Sequence, residues 1–356
     1  MRVLQVTHRY PPNVGGVETH VHELAERLSA RGHDVSVVAA DAPVEGEGEG
    51  DVHETDGGGV PVARHRGCAP GGAFHVAPGV LRSVLSSDAD VVHAHNYHSL
   101  PAAFAAAAAG DATLVVTPHY HGRSASRLRD RLLALYRPVG RRLLARADAV
   151  VAVSQWERDR LADRFDVDAT VVPNGLDLAR FAGVTPLETD RPYLLAVGRL
   201  VDYKGVRNLV HALQGLPEYD LLVAGTGPYR STLEGCAELA GVRDRTTFLG
   251  YVDDAALPAL YAGASVFVSL SELEAYGVTV AEALASGTPC VVSDTTALSE
   301  WAERADCVGV DHTDPPSVAR AVRAAADLSA PSAPLPDWED TVDGVLSVYE
   351  RASHTA

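Results

Sequence analysis

Short runs of valine, leucine and alanine alternate with amphipathic stretches along the whole chain, the rhythm of parallel strands covered by helices. In the first half the runs predict strands at 3–7, 35–40, 60–63, 91–94, 114–117, 149–153 and 170–172. Between 181 and 192 the rhythm stops: Gly183, Pro186 and Pro192 stand among charges, the composition of a linker. A second series follows at 193–197, 220–224, 246–249, 265–268, 289–292 and 307–310. The pattern predicts an α/β protein of two doubly wound domains, 1–180 and 181–337. Such sheets bind ligands beyond the carboxyl ends of their strands, and two facing domains create a cleft. The stretch 44–59, rich in Gly, Asp and Glu, predicts a mobile surface loop. Val342, Val345, Leu346 and Tyr349 recur at helical spacing and predict a C-terminal helix over 338–352, with the N-terminal domain one candidate seat for it.

A length of 356 residues agrees with two domains. The net charge of −17 excludes a general nucleic-acid binder, whose phosphate contacts need a surplus of Lys and Arg. The N-terminal apolar run is too short for a signal peptide, so no export is expected. The most apolar window, 101–109, is about half the ~20 residues that span a bilayer. Cys68, Cys236, Cys290 and Cys307 are widely spaced with no Cys-x-x-Cys. That pattern suits reduced cytoplasmic thiols, and all four are expected in the core. Basic charge is carried by 29 arginines and one lysine, Lys204, which raises the question of what a compact ammonium does there that arginine would not.

The candidate chemistry sits after strands. Beyond the first, Gly15 and Gly16 precede a helix, where backbone amides can approach an anion; a bare tight turn explains them equally. After the first strand of the second half, Arg199 and Lys204 stand five residues apart and can converge on a diphosphate, the Arg as a fork and the Lys as a point charge. Solvated surface cations are the alternative. Gly225 and Gly227 close the next strand with small residues, as a close-lying ligand or a plain turn requires. The most specific segment runs from Glu272 to Gly287. Glu274 lies in a loop ahead of a helix starting at Gly277, and the amides of Tyr276, Gly277 and Val278 add to the positive helix end. Glu274 can hold sugar hydroxyls and Glu282 those of a ribose; the plain alternative is two glutamates complementing the dipole.

Glu274 and Glu282 form a Glu-x7-Glu pair. Together with Gly198-Arg199, Lys204-Gly205, Pro173-Asn174-Gly175 and Gly15-Gly16-Val17-Glu18, it resembles the retaining GT-B-fold glycosyltransferases of family 4 over nearly the whole chain. The resemblance implies transfer of a sugar from a nucleotide-sugar donor, held mainly by the C-terminal domain, to a hydroxyl acceptor. It implies that Arg199 and Lys204 bind the diphosphate. Glu274, Ala275 and the amides of Tyr276, Gly277 and Val278 would take the sugar, Glu282 the ribose, and Gly15 and Gly16 the phosphates. Gly227 and the backbone near Tyr251 and Val252 complete the donor set. Tyr276 stands where the family often has Phe.

Histidines cluster in the first half. His93 and His95 close one strand and His119 and His121 another, so a metal centre is one reading. The favoured reading follows the resemblance: His119 beside the transferred sugar, with His121 its local competitor and His95 and Asn96 on the acceptor side. His93 and His98 are expected to be structural. Asp88-Ala89-Asp90 and Asp166-Val167-Asp168 precede strands and read as turns, so no essential metal and no tightly bound cofactor are expected; the nucleotide-sugar is a co-substrate. From Arg123 to Arg146 eight arginines face one acid, Asp130, with leucines between them. Such a helix can lie on anionic lipid at the inner face of a membrane or simply snorkel over a core. Remaining alternatives are a nucleotide-sugar epimerase and a non-catalytic nucleotide-sugar-binding subunit. A PLP-dependent phosphorylase fits less well, because Lys204 already has a phosphate-binding place.

Overall fold

The computed structural model describes residues 1–41, 52–68, 75–122, 127–331 and 333–354. The chain divides into two compact units, residues 1–175 with 338–356, and residues 176–337.

Unit 1 holds an eight-stranded sheet of β1 (Arg2–Thr7), β2 (Asp34–Ala39), β3 (Val52–Thr55), β4 (Pro61–Arg64), β5 (Val91–His95), β6 (Thr113–Thr117), β7 (Ala149–Ala152) and β8 (Thr170–Val171), in the order β3-β4-β2-β1-β5-β6-β7-β8. Each predicted run becomes a strand. The exception to the prediction is β3, which pairs antiparallel with β4 where a loop was expected. Asp56 makes that hairpin: its Oδ1 accepts from the amides of Gly58 and Val60, the side-chain turn that Asp favours. Residues 44–51 of the expected loop lie outside the described residues.

Alternation along β1 and β2 sends side chains to two cores. Leu4, Val6 and Val38 pack with Ala102, Ala105 and Leu144 on one face. Val3, Val35 and Val37 pack with Leu24 and Leu28 of the helix Gly16–Ala30 on the other. The helix Trp338–Ser353 joins this second face through Val342, Val345, Val348 and Tyr349. Each buried aliphatic side chain contributes about 1.5–3 kcal/mol to holding the layers together. The alanine-rich window is the helix Leu100–Ala108, and it is spent on the core. Among the described residues no helix is long and apolar enough to cross a membrane.

Unit 2 holds β9 (Tyr193–Val197), β10 (Asp220–Ala224), β11 (Thr246–Gly250), β12 (Val266–Ser269), β13 (Cys290–Ser293) and β14 (Cys307–Val310), all parallel, in the order β11-β10-β9-β12-β13-β14. The chain winds outward from β9 in one direction, then returns to β12 on its other side. The crevice between the carboxyl ends of β9 and β12 is therefore the switch point where such sheets bind ligands. In unit 1 the corresponding point lies between β1 and β5.

Two expectations are corrected here. Of the four cysteines, Cys290 and Cys307 are buried, Cys236 is half-buried and Cys68 is exposed. Cys68 stands beyond the end of β4, bridged to Val76 outside the sheet, where no core covers it. The segment read as a linker packs on unit 2, with the Leu187 amide donating to the Ala259 carbonyl at 2.9 Å.

Candidate active site

In unit 2, β9 and β12 deliver two loops to the switch point, and the backbone ties them together. The Glu272 amide donates to the Tyr203 carbonyl at 2.8 Å. Gly205 makes that approach possible: it sits at φ 70°, and a Cβ there would lie 2.3 Å from the Leu270 carbonyl oxygen. As a result Lys204 Nζ forms an ion pair with Glu274 Oε1 across 70 residues of sequence. Burial alone would lower the ammonium's pKa, yet the adjacent Glu274 carboxylate outweighs it and holds the pKa above its ordinary value. A third loop braces Glu274. Its amide donates to Thr296 Oγ1 at 3.3 Å, and its carbonyl accepts from the Ala297 amide.

Arg199 is exposed beside this pair, and both cations line a shallow pocket with Gly198, Ala224 and Ser269. The β10 loop closes tightly on it. A Cβ at Gly225, φ 130°, would fall 1.9 Å from the Gly198 oxygen, and one at Gly227 would fall 2.2 Å from the Leu200 oxygen. These glycines are there for loop-to-loop packing.

The helix Val278–Ala285 starts at Gly277, φ 100°. The ring of Trp301 packs on Tyr276, and its Nε1 donates to the Tyr276 carbonyl at 2.6 Å. The first amides of a helix have no partner within it, so the Ala275–Val278 stretch presents donors backed by the dipole. Glu282 lies one turn further and accepts from the Tyr261 hydroxyl at 2.7 Å. Burial pushes its carboxyl up to about 7, against the opposing effect of the Tyr261 hydrogen bond. Tyr251 is exposed at the end of β11, next to Val252. Nothing in the local pattern pointed to Tyr261 or Thr296, because both reach the site from other elements.

In unit 1, Glu18 enters from the first turn of the helix Gly16–Ala30 and pairs with Arg9 at 2.5 Å. A Cβ at Gly15 would lie 2.3 Å from Glu18 Oε2, so Glu18 would have to shift, whereas one at Gly16 would meet open space. Asn96 and His119 end β5 and β6 in left-handed backbone, φ 68° and 47°. Such conformations cost about 1–3 kcal/mol in a non-glycine residue and cluster at functional sites. The loop carrying His119 is pinned by Glu157, whose carboxylate accepts from the Tyr120 and Val153 amides. Burial pushes Glu157 up to about 8, although both amide bonds favour its charged form. The Ser154-x-x-Glu157 spacing is the sequence signal for this capped turn, with the Glu157 amide donating to Ser154 Oγ at 3.1 Å.

The two candidate histidines part company. His119 meets His20 and His95, with ring centres 5.1 and 5.8 Å away. His121 instead stacks on His98 at 4.4 Å. His93 is structural, bonded to the Tyr349 hydroxyl and Thr117 Oγ1 at 2.7 Å each. Asp88 and Asp90 hold Arg2 at the start of β1, and Asp166 caps a helix in left-handed backbone.

The model of Glycosyltransferase Family 4 matches residues 14–180, and that of Glycosyl transferases group 1 matches residues 180–331. Glycogen synthase of Mycobacterium tuberculosis is 33% identical over 333 residues, covering 84% of this chain and 80% of that one. The chain belongs to the family 4 glycosyltransferases. Phosphatidyl-myo-inositol mannosyltransferase of Mycolicibacterium smegmatis is 30% identical, over 80% of this glycosyltransferase and 74% of the relative. Sucrose-phosphate synthase from Thermosynechococcus elongatus has the same fold at TM-score 0.80 and 20% identity, with both chains covered completely. Anabaena HepE, solved with UDP and glucose, superposes at TM-score 0.71 and 18% identity, over 99% of this chain and 95% of that one. The fold is GT-B, and the glycosyltransferase is a hexosyltransferase.

Proposed function

We propose that this enzyme moves a sugar from a UDP- or GDP-sugar to a hydroxyl acceptor with retention of anomeric configuration. The observation that carries the reading is the Lys204–Glu274 pair at the β9/β12 switch point. Lys204 and Arg199 take the donor diphosphate and stabilise the charge that develops as it leaves, with no metal required for that step. Glu274 and the amides of Ala275, Tyr276, Gly277 and Val278 hold the sugar hydroxyls. Glu282 accepts from the ribose, and the backbone of Tyr251 and Val252 meets the base near Gly227. For unit 1, the resemblance to the family suggests phosphate contacts for Gly15 and Gly16, a sugar contact for His119, and acceptor contacts for His95, Asn96 and His121. The acceptor oxygen attacks on the face the diphosphate leaves, and a departing phosphate oxygen takes the proton, so retention needs neither a double displacement nor the nucleophilic carboxylate that one would use. A relative named as GDP-mannose-dependent and a neighbour solved with UDP support a nucleotide donor of either base.

Incubation with donor alone tests the reaction class. Slow release of free sugar and nucleotide is expected; a donor epimer would make the protein an epimerase, and binding without turnover a binding subunit. Donor binding is also expected to depend on pH through Glu282. Only the ionised carboxylate accepts from two ribose hydroxyls. With its carboxyl pushed up to about 7, donor KM should fall up to about tenfold from pH 6 to pH 8. Glu282→Gln should raise KM at pH 8 and flatten that profile, with kcat little changed.

The basic segment supports a peripheral membrane position. Residues 123–126 lie outside the described residues. In the helix Arg127–Arg146, Tyr136, Leu143 and Leu144 are buried, while Leu132, Leu135 and Val139 form an exposed stripe at positions i, i+3 and i+7. Leu135 is 77% exposed, and exposed Arg131, Arg141 and Arg142 flank it. Arginines that merely covered a core would not leave leucine facing out among them, whereas a helix resting on anionic lipid would. Vesicles containing phosphatidylserine should sediment the protein at low salt, and pure phosphatidylcholine vesicles should not. Leu135→Asp should abolish sedimentation without changing hydrolysis of donor in solution.

A further inference from the structure

We propose that His20, His95 and His119 form a site for a transition-metal ion of the zinc class. One histidine comes from the helix Gly16–Ala30, one from the end of β5 and one from the loop after β6. Their ligand nitrogens lie within 4.8 Å of one another, and all three residues are buried. Among the described residues, each of the three keeps one buried ring nitrogen outside any hydrogen bond, His20 Nδ1, His95 Nδ1 and His119 Nε2, as do His8 and His98. Buried polar atoms are usually satisfied, so such nitrogens call for an explanation.

The geometry suits one shared ion. Imidazoles on a tetrahedral zinc, with nitrogens about 2.0–2.1 Å from the metal, have ring centres about 5 Å apart. The ring centres here are 5.1, 5.7 and 5.8 Å apart. Three protein ligands leave a fourth position open, as in sites where a metal keeps an exchangeable water.

The surroundings prepare the ligands. With the Gln5 amide assigned so that Oε1 faces His95, His95 donates from Nε2 at 2.7 Å, which leaves Nδ1 as the lone pair. Gln5 in turn donates to the Tyr349 hydroxyl at 3.2 Å, and Tyr349 is bonded to His93. That buried chain fixes the ring, as outer partners do at metal sites. Burial holds all three imidazoles in the neutral form that binds metals, His20 at about 4 and the other two well below their ordinary value.

Binding rests on unit 1 alone and is independent of the transfer reaction. One consequence does rest on the reading of His119 given above: an ion held here occupies a nitrogen of the imidazole assigned to the transferred sugar, so the metal inhibits turnover instead of serving it.

The test is a cobalt titration of the full chain after chelator treatment and dialysis. One equivalent of Co²⁺ should produce a visible absorption band of tetrahedral type, which Zn²⁺ then displaces. His20→Ala and His95→Ala should each weaken binding at least tenfold, with far-ultraviolet circular dichroism checking that they fold. His22→Ala should leave the band intact, because His22 belongs to the separate trio with Glu26 and Asp56. The proposal is overturned by folded wild type that gives no band at one equivalent. A band that survives in both folded variants, or that is lost in His22→Ala, overturns it as well. Inhibition of donor hydrolysis by Zn²⁺ in the wild type reports separately on His119; its absence alongside confirmed binding would count against the role of His119 and leave the site standing.

Discussion

Glu274→Gln should lower kcat by roughly tenfold to thousandfold while the protein stays folded. The substitution keeps the shape of the side chain and its capacity to accept a hydrogen bond, so the loop tethers through the Thr296 hydroxyl and the Ala297 amide survive. What is lost is the negative charge against Lys204. Without it Lys204 loses the carboxylate that holds its pKa up and fixes its head against the β12 loop, so the ammonium is no longer positioned where the diphosphate charge develops. Because Lys204 both holds the bound diphosphate and stabilises the charge that develops as the bond breaks, kcat should fall, donor KM should rise, and kcat/KM should fall further than kcat. Steady-state kinetics with saturating donor checks this. A folded variant with near-wild-type kcat would remove Glu274 from the catalytic set.

His119→Ala should cost a comparable tenfold to thousandfold in kcat. The residue is held in left-handed backbone by a loop whose next amide is bound to Glu157. Non-glycine residues in that conformation cluster at functional sites, where the backbone fixes the direction of a side chain. Alanine leaves the Tyr120 amide bond to Glu157 in place, so a fall in rate at unchanged thermal midpoint separates the lost imidazole from a disordered loop. His121→Ala serves as the comparison: its ring stacks on His98, and its variant should retain most of the rate. A larger loss in His121→Ala than in His119→Ala would exchange the two roles.

The parallel sheets were legible because period and composition are local properties. Each run of Val, Leu and Ala bounded by turn residues became a strand, and the motifs at strand ends pointed to the carboxyl face where such sheets bind ligands. β3 was hidden because Val52–Thr55 gains its order from an antiparallel partner, beside a composition that reads as loop. The contacts that organise the candidate site were hidden for the same reason. The Lys204–Glu274 pair depends on two loops meeting over a glycine at φ 70°, and the Tyr261 partner of Glu282 comes from a neighbouring helix. His20 sits on an ordinary amphipathic helix, and only the strand order β1-β5-β6 brings His95 and His119 to it. Cys68 was misplaced because residue type predicts burial only on average.

A thermal-shift comparison of wild type and Lys204→Ala against UDP, GDP, ADP and their sugar conjugates tests the donor site most directly. A ligand at 100 times its Kd adds roughly 2.7 kcal/mol to stability, enough to move the midpoint visibly. One nucleotide family should raise the wild-type midpoint, and Lys204→Ala should abolish that rise while remaining folded. A folded wild type that responds to no nucleotide, or a Lys204→Ala variant that responds as strongly as the wild type, would contradict the assignment of the donor diphosphate to this site.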